Sequence, residues 1–311
     1  MNWLKNASSL IEEVLFLNVL NIEGKVIKLT NLDKVFWPDD LNITKGDMIN
    51  YYINVAQYLL PHIKNRPFSM KPYPDGINGK SFYQKQCPQE SPHWLATTPI
   101  YSSKKGYVDW CLINDLPSLI WIANRACIEM HTWFSRVPNL DKPDIAVLDI
   151  DPSGNTGFKE AQAIARLFKV LIDEFKLTAV PKTSGATGIH IYLPIEPLYS
   201  FSQVRDFLLK LCQYVEKANP GLATTERNVK KRGNKVYLDA VQNASGKTIP
   251  AVYSLRPTPE ATVSTPLLWE ELADESLVPN RFTITNTLSR IKDMGELFQE
   301  VLTKRQMLPK I

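Results

Sequence analysis

The stretch Ile145-Ala146-Val147-Leu148-Asp149-Ile150-Asp151-Pro152 limits what this chain can fold into more than any other. Its short, β-branched apolar run reads as a buried strand. Residues i and i+2 of a strand point to the same face. Asp149 and Asp151 therefore project together, close to the strand's C-terminal end. Two carboxylates so placed repel unless a cation or protons lie between them. A hard divalent cation such as Mg²⁺ takes oxygen ligands and relieves the repulsion. A solvated strand end is the competing reading, and the pair alone does not decide.

The elements around this strand set the fold class. Upstream, Gly24 to Thr30 reads as a strand, and Thr44-Lys45-Gly46-Asp47 opens a helix toward Leu60 like a capping box. Arg66 to Tyr73 and Gly106 to Ile113 read as strands, and Leu116 to Met130 as a buried helix with Leu119, Ala123, Ala126 and Met130 in phase. A second half begins near Lys142. It reads strand Ile145–Ile150, helix Phe158–Phe175, strands Thr178–Lys182 and Gly188–Leu193, and helix Phe201–Lys217 opened by Ser200 and Gln203. Strand Lys235–Asp239, an extended Pro-rich connector (Arg256 to Pro266) and two short helices close it. Two strands in direct succession predict α+β with a mixed sheet, not a doubly wound fold.

Composition excludes several classes. With 311 residues and 44% hydrophobic content, the chain can bury one large or two medium cores. No apolar stretch reaches the ~20 residues that span a bilayer. Leu10 to Leu20 lacks the features of a signal peptide and reads as an amphipathic helix. Cys87, Cys111, Cys127 and Cys212 show no CxxC spacing and are expected as reduced core thiols. The net charge of +4 is only mildly basic, but Arg227 to Lys235 packs five cations into nine residues. That run is either a solvated loop or a contact for a phosphate backbone.

Two further features match the carboxylate pair. Lys235-Val236-Tyr237-Leu238-Asp239 is another short strand ending in Asp. Three carboxylates at neighbouring strand ends can hold two metals ~3.5–4 Å apart, which activates an attacking oxygen and stabilises a leaving phosphate. Between them lies Lys182-Thr183-Ser184-Gly185-Ala186-Thr187-Gly188-Ile189-His190. Its glycines can expose backbone N–H groups as a phosphate-binding nest, with Ser184 and His190 adding side-chain donors. An ordinary β-turn and a half-buried histidine are the bland alternatives; the order of the three segments carries the weight.

This order resembles the archaeo-eukaryotic primase superfamily, with its Asp-x-Asp motif, Ser-x-His-type motif and later lone Asp. More closely, the chain resembles the polymerase domains of bacterial ligase D, enzymes of end-joining repair. Further matches are Thr30 to Pro38, Thr44 to Gly46, Arg66-Pro67, Pro74 to Gly76, Ser81 to Lys85, Asn124, Glu129-x-His131-x-Trp133, Asp239-x-x-Gln242-Asn243 and Tyr253 to Arg256. Residues 1–25 fall outside the resemblance and form an N-terminal extension. The resemblance implies an α+β primase-type catalytic core, an RRM-like mixed or antiparallel sheet with flanking helices, packed against an N-terminal α/β subdomain. The implied divisions are 26–141 for that subdomain, 142–256 for the core and 257–311 for a helical segment, all within one domain, 26–311.

The resemblance also implies roles. Asp149, Asp151 and Asp239 would be catalytic and hold two divalent ions, Mn²⁺ or Mg²⁺. Ser184, Gly185 and His190 would bind the incoming triphosphate, helped by Lys71, Arg256 and Gln242. Phe82 would stack on the base. Tyr83 stands where a second Phe is expected, and His131 would lie near the sugar or metal. Asn31, Lys34 and Lys45 would grip the 5′-phosphate across a gap, and Lys85 and Arg232 would contact DNA. Thr187 occupies a hairpin position where relatives often carry a basic residue, for which Lys182 could substitute. Cys87 to Lys105 matches an exposed loop with which relatives bridge two DNA ends.

The implied activity is template-dependent nucleotidyl transfer from NTP or dNTP, favouring ribonucleotides, on gapped or broken double-stranded DNA with a 5′-phosphate. Ku end-binding protein and a DNA ligase are the implied partners, with no membrane. The implied setting is the cytoplasm of a prokaryote, at the nucleoid. The chain ends soon after Arg305, so a free-standing polymerase or an excised domain is expected. A metal-dependent nuclease or phosphoesterase, and a catalytically silent nucleic-acid-binding module, remain as alternatives.

Overall fold

The computed structural model describes residues 18–38 and 41–311. Most of the expected helix Leu10 to Leu20 lies outside the described residues, and its last two residues belong to a strand. In chain order come β1 Val19–Ile22, β2 Lys25–Lys28, β3 Val35–Trp37, β4 Ile43–Thr44, α1 Lys45–Ile63, β5 Pro67–Ser69, β6 Thr97–Ser102, β7 Gly106–Leu112, α2 Leu116–Asn124 and β8 His131–Thr132. Then follow β9 Ile145–Asp151, α3 Phe158–Glu174, β10 Val180–Thr183, β11 Ile189–Pro194, α4 Phe201–Ala218, β12 Ala223–Thr224, the basic helical turn α5 Val229–Arg232, β13 Val236–Leu238 and β14 Ile249–Pro250. Helices α6 Thr287–Met294 and α7 Glu300–Thr303 come last.

Ten of the strands form two five-stranded sheets, ordered β10-β11-β9-β13-β12 and β14-β8-β5-β7-β6, while β1-β2 and β3-β4 are two-stranded pairs. The first is mixed, because β12 and β13 run parallel while its other pairs are antiparallel. The fold is thus α+β, as the two successive strands predicted. Strand β9 is central, and its period of two divides its side chains. Ala146, Leu148 and Ile150 pack into a core with Ile164 and Phe168 of α3 and Val204, Leu208 and Leu211 of α4. Ile145 and Val147 join the other core, which holds α1, α2 and the second sheet. Asp149 and Asp151 continue the Ile145–Val147 face and so point into the seam between the two sheets. Val180 and Tyr192 belong to the same core, which places Lys182 and His190 on the seam face as well.

Local signals explain most helix starts. At α1, Thr44 Oγ1 accepts from Asp47 N at 3.1 Å, and Asp47 Oδ2 accepts from Thr44 N at 2.8 Å. Ser200 and Gln203 cap α4 in the same way. The expected helix to Met130 stops at Asn124 instead. Ala126 turns at φ +64°, and Cys127 bridges to Pro72 in extended form. Ala126 to Met130 is buried on every side, so its apolar residues satisfied a helical period without being helical.

Three other expectations change. Cys87 and Cys111 are joined as a disulfide, with Cα atoms 5.2 Å apart, whereas Cys127 and Cys212 are free and buried. Strand β7 carries Cys111 to the start of the 87–105 segment, a proximity that a separation of 24 residues does not announce. That segment is not a plain exposed loop, since Cys87 is buried and β6 pairs with β7 from Thr97↔Cys111 to Ser102↔Gly106. The Pro-rich connector is also more than a connector. Leu255 pairs with Val263 and Lys182 with Pro266, and Val263 and Ser264 are fully buried.

Candidate active site between the two sheets

The carboxylates stand where the strand pairing puts them. Asp149 lies directly across from His190 of β11, and Asp151 across from Tyr237 of β13. Asp239 follows β13, and its backbone N–H donates to Asp149 O at 2.9 Å. Asp149 is nearly sealed from solvent, and its Oδ1 has no hydrogen-bond partner, although His190 Nε2 lies 3.3 Å away. Burial, then repulsion from Asp239, pushes Asp149 up to about 7; burial, then Asp149 and Asp239, does the same for Asp151. Asp239 Oδ1 accepts from Tyr237 Oη at 3.2 Å and from Gln242 N at 3.0 Å.

Among the described residues no three His, Cys, Asp or Glu side chains converge tightly enough to cage a metal unaided. An orphaned buried carboxylate oxygen amid mutually repelling carboxylates nonetheless fits a hard divalent cation. Mg²⁺ is commonly held by one or two carboxylates plus substrate phosphates, not by an all-protein cage. The donor set is of that open kind.

The glycine-rich segment is a tight hairpin between β10 and β11. Ser184 Oγ accepts from Ala186 N at 3.1 Å and Gly188 N at 3.0 Å, so those two N–H groups are engaged within the turn. Gly185 has φ +72°, and a Cβ there would come within 2.7 Å of Arg256 Cγ. Arg256 Nη1 donates to Ser184 O at 2.6 Å, fixing the arginine beside the turn. Thr187 is exposed at the tip. Lys182 lies beneath it, fully buried, with Nζ 2.9 Å from His190 Nδ1.

Across the seam, Phe82 and Tyr83 are exposed. The Tyr83 ring meets the His131 ring edge-on at 5.6 Å, and Lys71 Nζ lies 5.3 Å from its centroid. Neither ring nitrogen of buried His131 has a hydrogen-bond partner. Glu129, quoted above only as part of a motif, is the residue that reading by sequence missed. Its carboxylate meets Lys71 Nζ at 2.6 Å and Arg256 Nε at 2.8 Å.

The remaining residues fall in three places. Asn31, Lys34 and Lys45 line one open cavity, joined there by Lys28 and Arg125. Lys45 Nζ donates to Thr30 O at 2.6 Å, and burial, then Lys34, lowers it to about 8. Arg232 stacks at 3.5 Å on the Tyr237 ring, which ties the basic turn to Asp239. Gln242 Nε2 donates to Thr248 O at 2.8 Å. Lys85 lies in a separate groove with Tyr101, Lys104 and Tyr107, its Nζ 5.3 Å from the Trp110 ring.

A family model described as LigD, primase-polymerase domain, matches residues 44–298. The chain belongs to this family. It is therefore a member of a metal-dependent nucleotidyltransferase family. It is 37% identical over 270 residues to the bifunctional non-homologous end joining protein LigD of Bacillus subtilis, a match covering 86% of this chain and 43% of that protein. It is 33% identical to the multifunctional LigD of Mycolicibacterium smegmatis, covering 87% of this chain and 35% of the relative. The chain thus spans less than half the length of these relatives. Its structure matches the polymerase domain of Mycobacterium tuberculosis ligase D in complex with DNA, with TM-score 0.83, 31% identity, and coverage of 89% of this chain and 98% of that one. No helix among the described residues is long and apolar enough to cross a membrane.

Proposed function

We propose that this chain is a template-dependent polymerase of end-joining repair, filling gaps and extending broken DNA ends with a preference for ribonucleotides. The observation that carries this reading is the seam itself. The buried Asp149 and the partly buried Asp151, both held above their ordinary range, face a hairpin, a histidine and two cations. The family-model match, residues 44–298, includes every residue of that arrangement.

When bound through Asp149, Asp151 and Asp239, two divalent ions, Mg²⁺ or Mn²⁺, would supply the charge that activates a primer 3′-hydroxyl and stabilises leaving pyrophosphate. The chain's own residues bind and orient. Lys71, Arg256, His190 and the Ser184–Gly185 turn hold the triphosphate, and Gln242 supports Asp239. Phe82 offers an apolar face to the base. Tyr83 and His131 form the wall beside the sugar, where a 2′-hydroxyl is accepted. Asn31, Lys34 and Lys45 take the 5′-phosphate of the gap, which fixes register without reading sequence. Arg232 and Lys85 contact the DNA backbone. Ku and a DNA ligase are the proposed partners.

The test is extension of gapped DNA, with and without a 5′-phosphate, using each nucleotide type with Mg²⁺ or Mn²⁺. Longer products are expected, with ribonucleotides used better. Shorter products would make the chain a nuclease instead. Asp149→Ala and Asp151→Ala should each abolish extension while gapped DNA still binds; extension retained in either would refute the carboxylate assignment.

A further inference from the structure

Glu129 has no part in the reading above, yet it meets three residues of the proposed nucleotide site, Lys71, His131 and Arg256. It lies just before β8, at a bend in the segment that follows Ala126, and its side chain is only 1% exposed. One carboxylate oxygen takes Lys71 Nζ at 2.6 Å and Tyr73 Oη at 2.6 Å. The other faces Arg256 Nε at 2.8 Å and His131 Nε2 at 3.5 Å. These partners come from three separate stretches of chain: the one after β5, the start of β8, and the one after β14.

Charge explains why the carboxylate is needed. Lys71 and Arg256 would repel each other across a partly desolvated cleft without an anion between them. Glu129 neutralises one of the two cations and leaves one positive charge in surplus. Burial works to raise its carboxyl, but His131, Arg256 and Lys71 outweigh burial and hold it well below the usual carboxylate range. The cations themselves are not sealed: the Lys71 and Arg256 side chains are 20% and 18% exposed. The anion is thus hidden beneath, and the cations are offered to the cleft. Through Arg256 the cluster reaches Ser184 O, and through Lys71 it reaches the face of Tyr83.

We propose that Glu129 is a positioning residue for the nucleotide, holding Lys71, Arg256 and His131 in one arrangement across the seam. This rests on the polymerase reading of the same site. Glu129→Gln keeps the shape but removes the charge. Glu129→Asp keeps the charge but is too short to reach Lys71 and Arg256 together.

The experiment measures extension of gapped DNA, nucleotide KM and kcat, gapped-DNA affinity and thermal melting for the parent and both variants. In each variant the nucleotide KM is expected to rise roughly tenfold or more, the scale of one charge-assisted contact to phosphate. DNA affinity is expected to hold within about twofold, and Glu129→Gln should add little to the KM of Lys71→Ala in a double-mutant cycle. A KM equal to the parent's in both variants, or effects that simply add, would overturn the proposal. Loss of the folded state in both would assign the carboxylate to folding and overturn it too. A parent that neither extends DNA nor binds nucleotide would fail the polymerase reading instead, which separates the two results.

Discussion

Lys45 carries its charge in an unusual setting for a lysine. It is 4% exposed, bound to Thr30 O, with Lys34 as a like-charged neighbour. Its pKa of about 8 means the ammonium is present at pH 7 and lost as pH rises through 8. The preference for 5′-phosphorylated over 5′-hydroxyl gaps should therefore be strongest near neutrality and decline toward about pH 9. Binding titrations on the two gaps across that range would check it. Lys34→Ala combined with Lys45→Ala should remove the preference at every pH; a preference that survives would refute the phosphate assignment. Lys34 also pairs with Asp75 at 2.7 Å, but Asp75 is largely exposed and such a pair exchanges readily with phosphate. At this scale legibility depended on sequence distance. Asp149 and Asp151 could be read as a pair because a strand's period places i and i+2 together. Glu129 could not be linked to Lys71 or Arg256, because no local period connects them.

The β9–β11 pair is the element on which the cleft depends, and Gly188 is its tightest point. A Cβ at Gly188 would fall 2.4 Å from Ile150 O. Gly188→Ala should push β11 away from β9, destabilise the fold by about 1–3 kcal/mol and lower extension, because Asp149 and His190 separate. Gly221→Ala is the control, since a Cβ there meets nothing within 4 Å. Urea midpoints and extension rates for both variants would test this. The hairpin itself was readable, because β-branched runs flank its glycines. What its sequence did not reveal is that Ser184 Oγ closes the turn from within. Helix α2 shows the opposite failure. Its start at Asp115 obeys capping rules, but its end is set by Asn124, whose amide donates to Lys28 O at 2.9 Å and accepts from Thr30 N at 3.1 Å. A contact to a distant strand overrides a local apolar period.

The whole molecule is held across its seam by ions as well as by apolar packing. Arg66, just before β5, grips Asp144, just before β9, through two nitrogens at 2.6 and 2.9 Å, and Arg136 adds a third contact at 3.0 Å. Breaking a buried pair from one side costs about 3–5 kcal/mol, so Asp144→Asn should lose stability on that scale at pH 7. Burial tends to raise the Asp144 carboxyl, but Arg66 and Arg136 prevail and lower it. A depressed carboxylate contributes stability that is fully present above its unfolded value of about 4 and lost as pH falls through its folded value. The gap in urea midpoint between parent and Asp144→Asn should thus narrow in acid; a constant gap would refute the link. The final stretch of chain binds the halves further. Val263, Ile291, Phe298 and Val301 pack into the core of the second sheet, and Leu267, Leu272, Leu277 and Phe282 into that of the first. Neither half owns all of its core, so the chain should melt in one transition, with tryptophan fluorescence and circular dichroism coinciding. During synthesis the cleft therefore has to wait: the strands of both sheets are made before Phe282, the last buried residue of the first core, and before Phe298 and Val301, the last of the second.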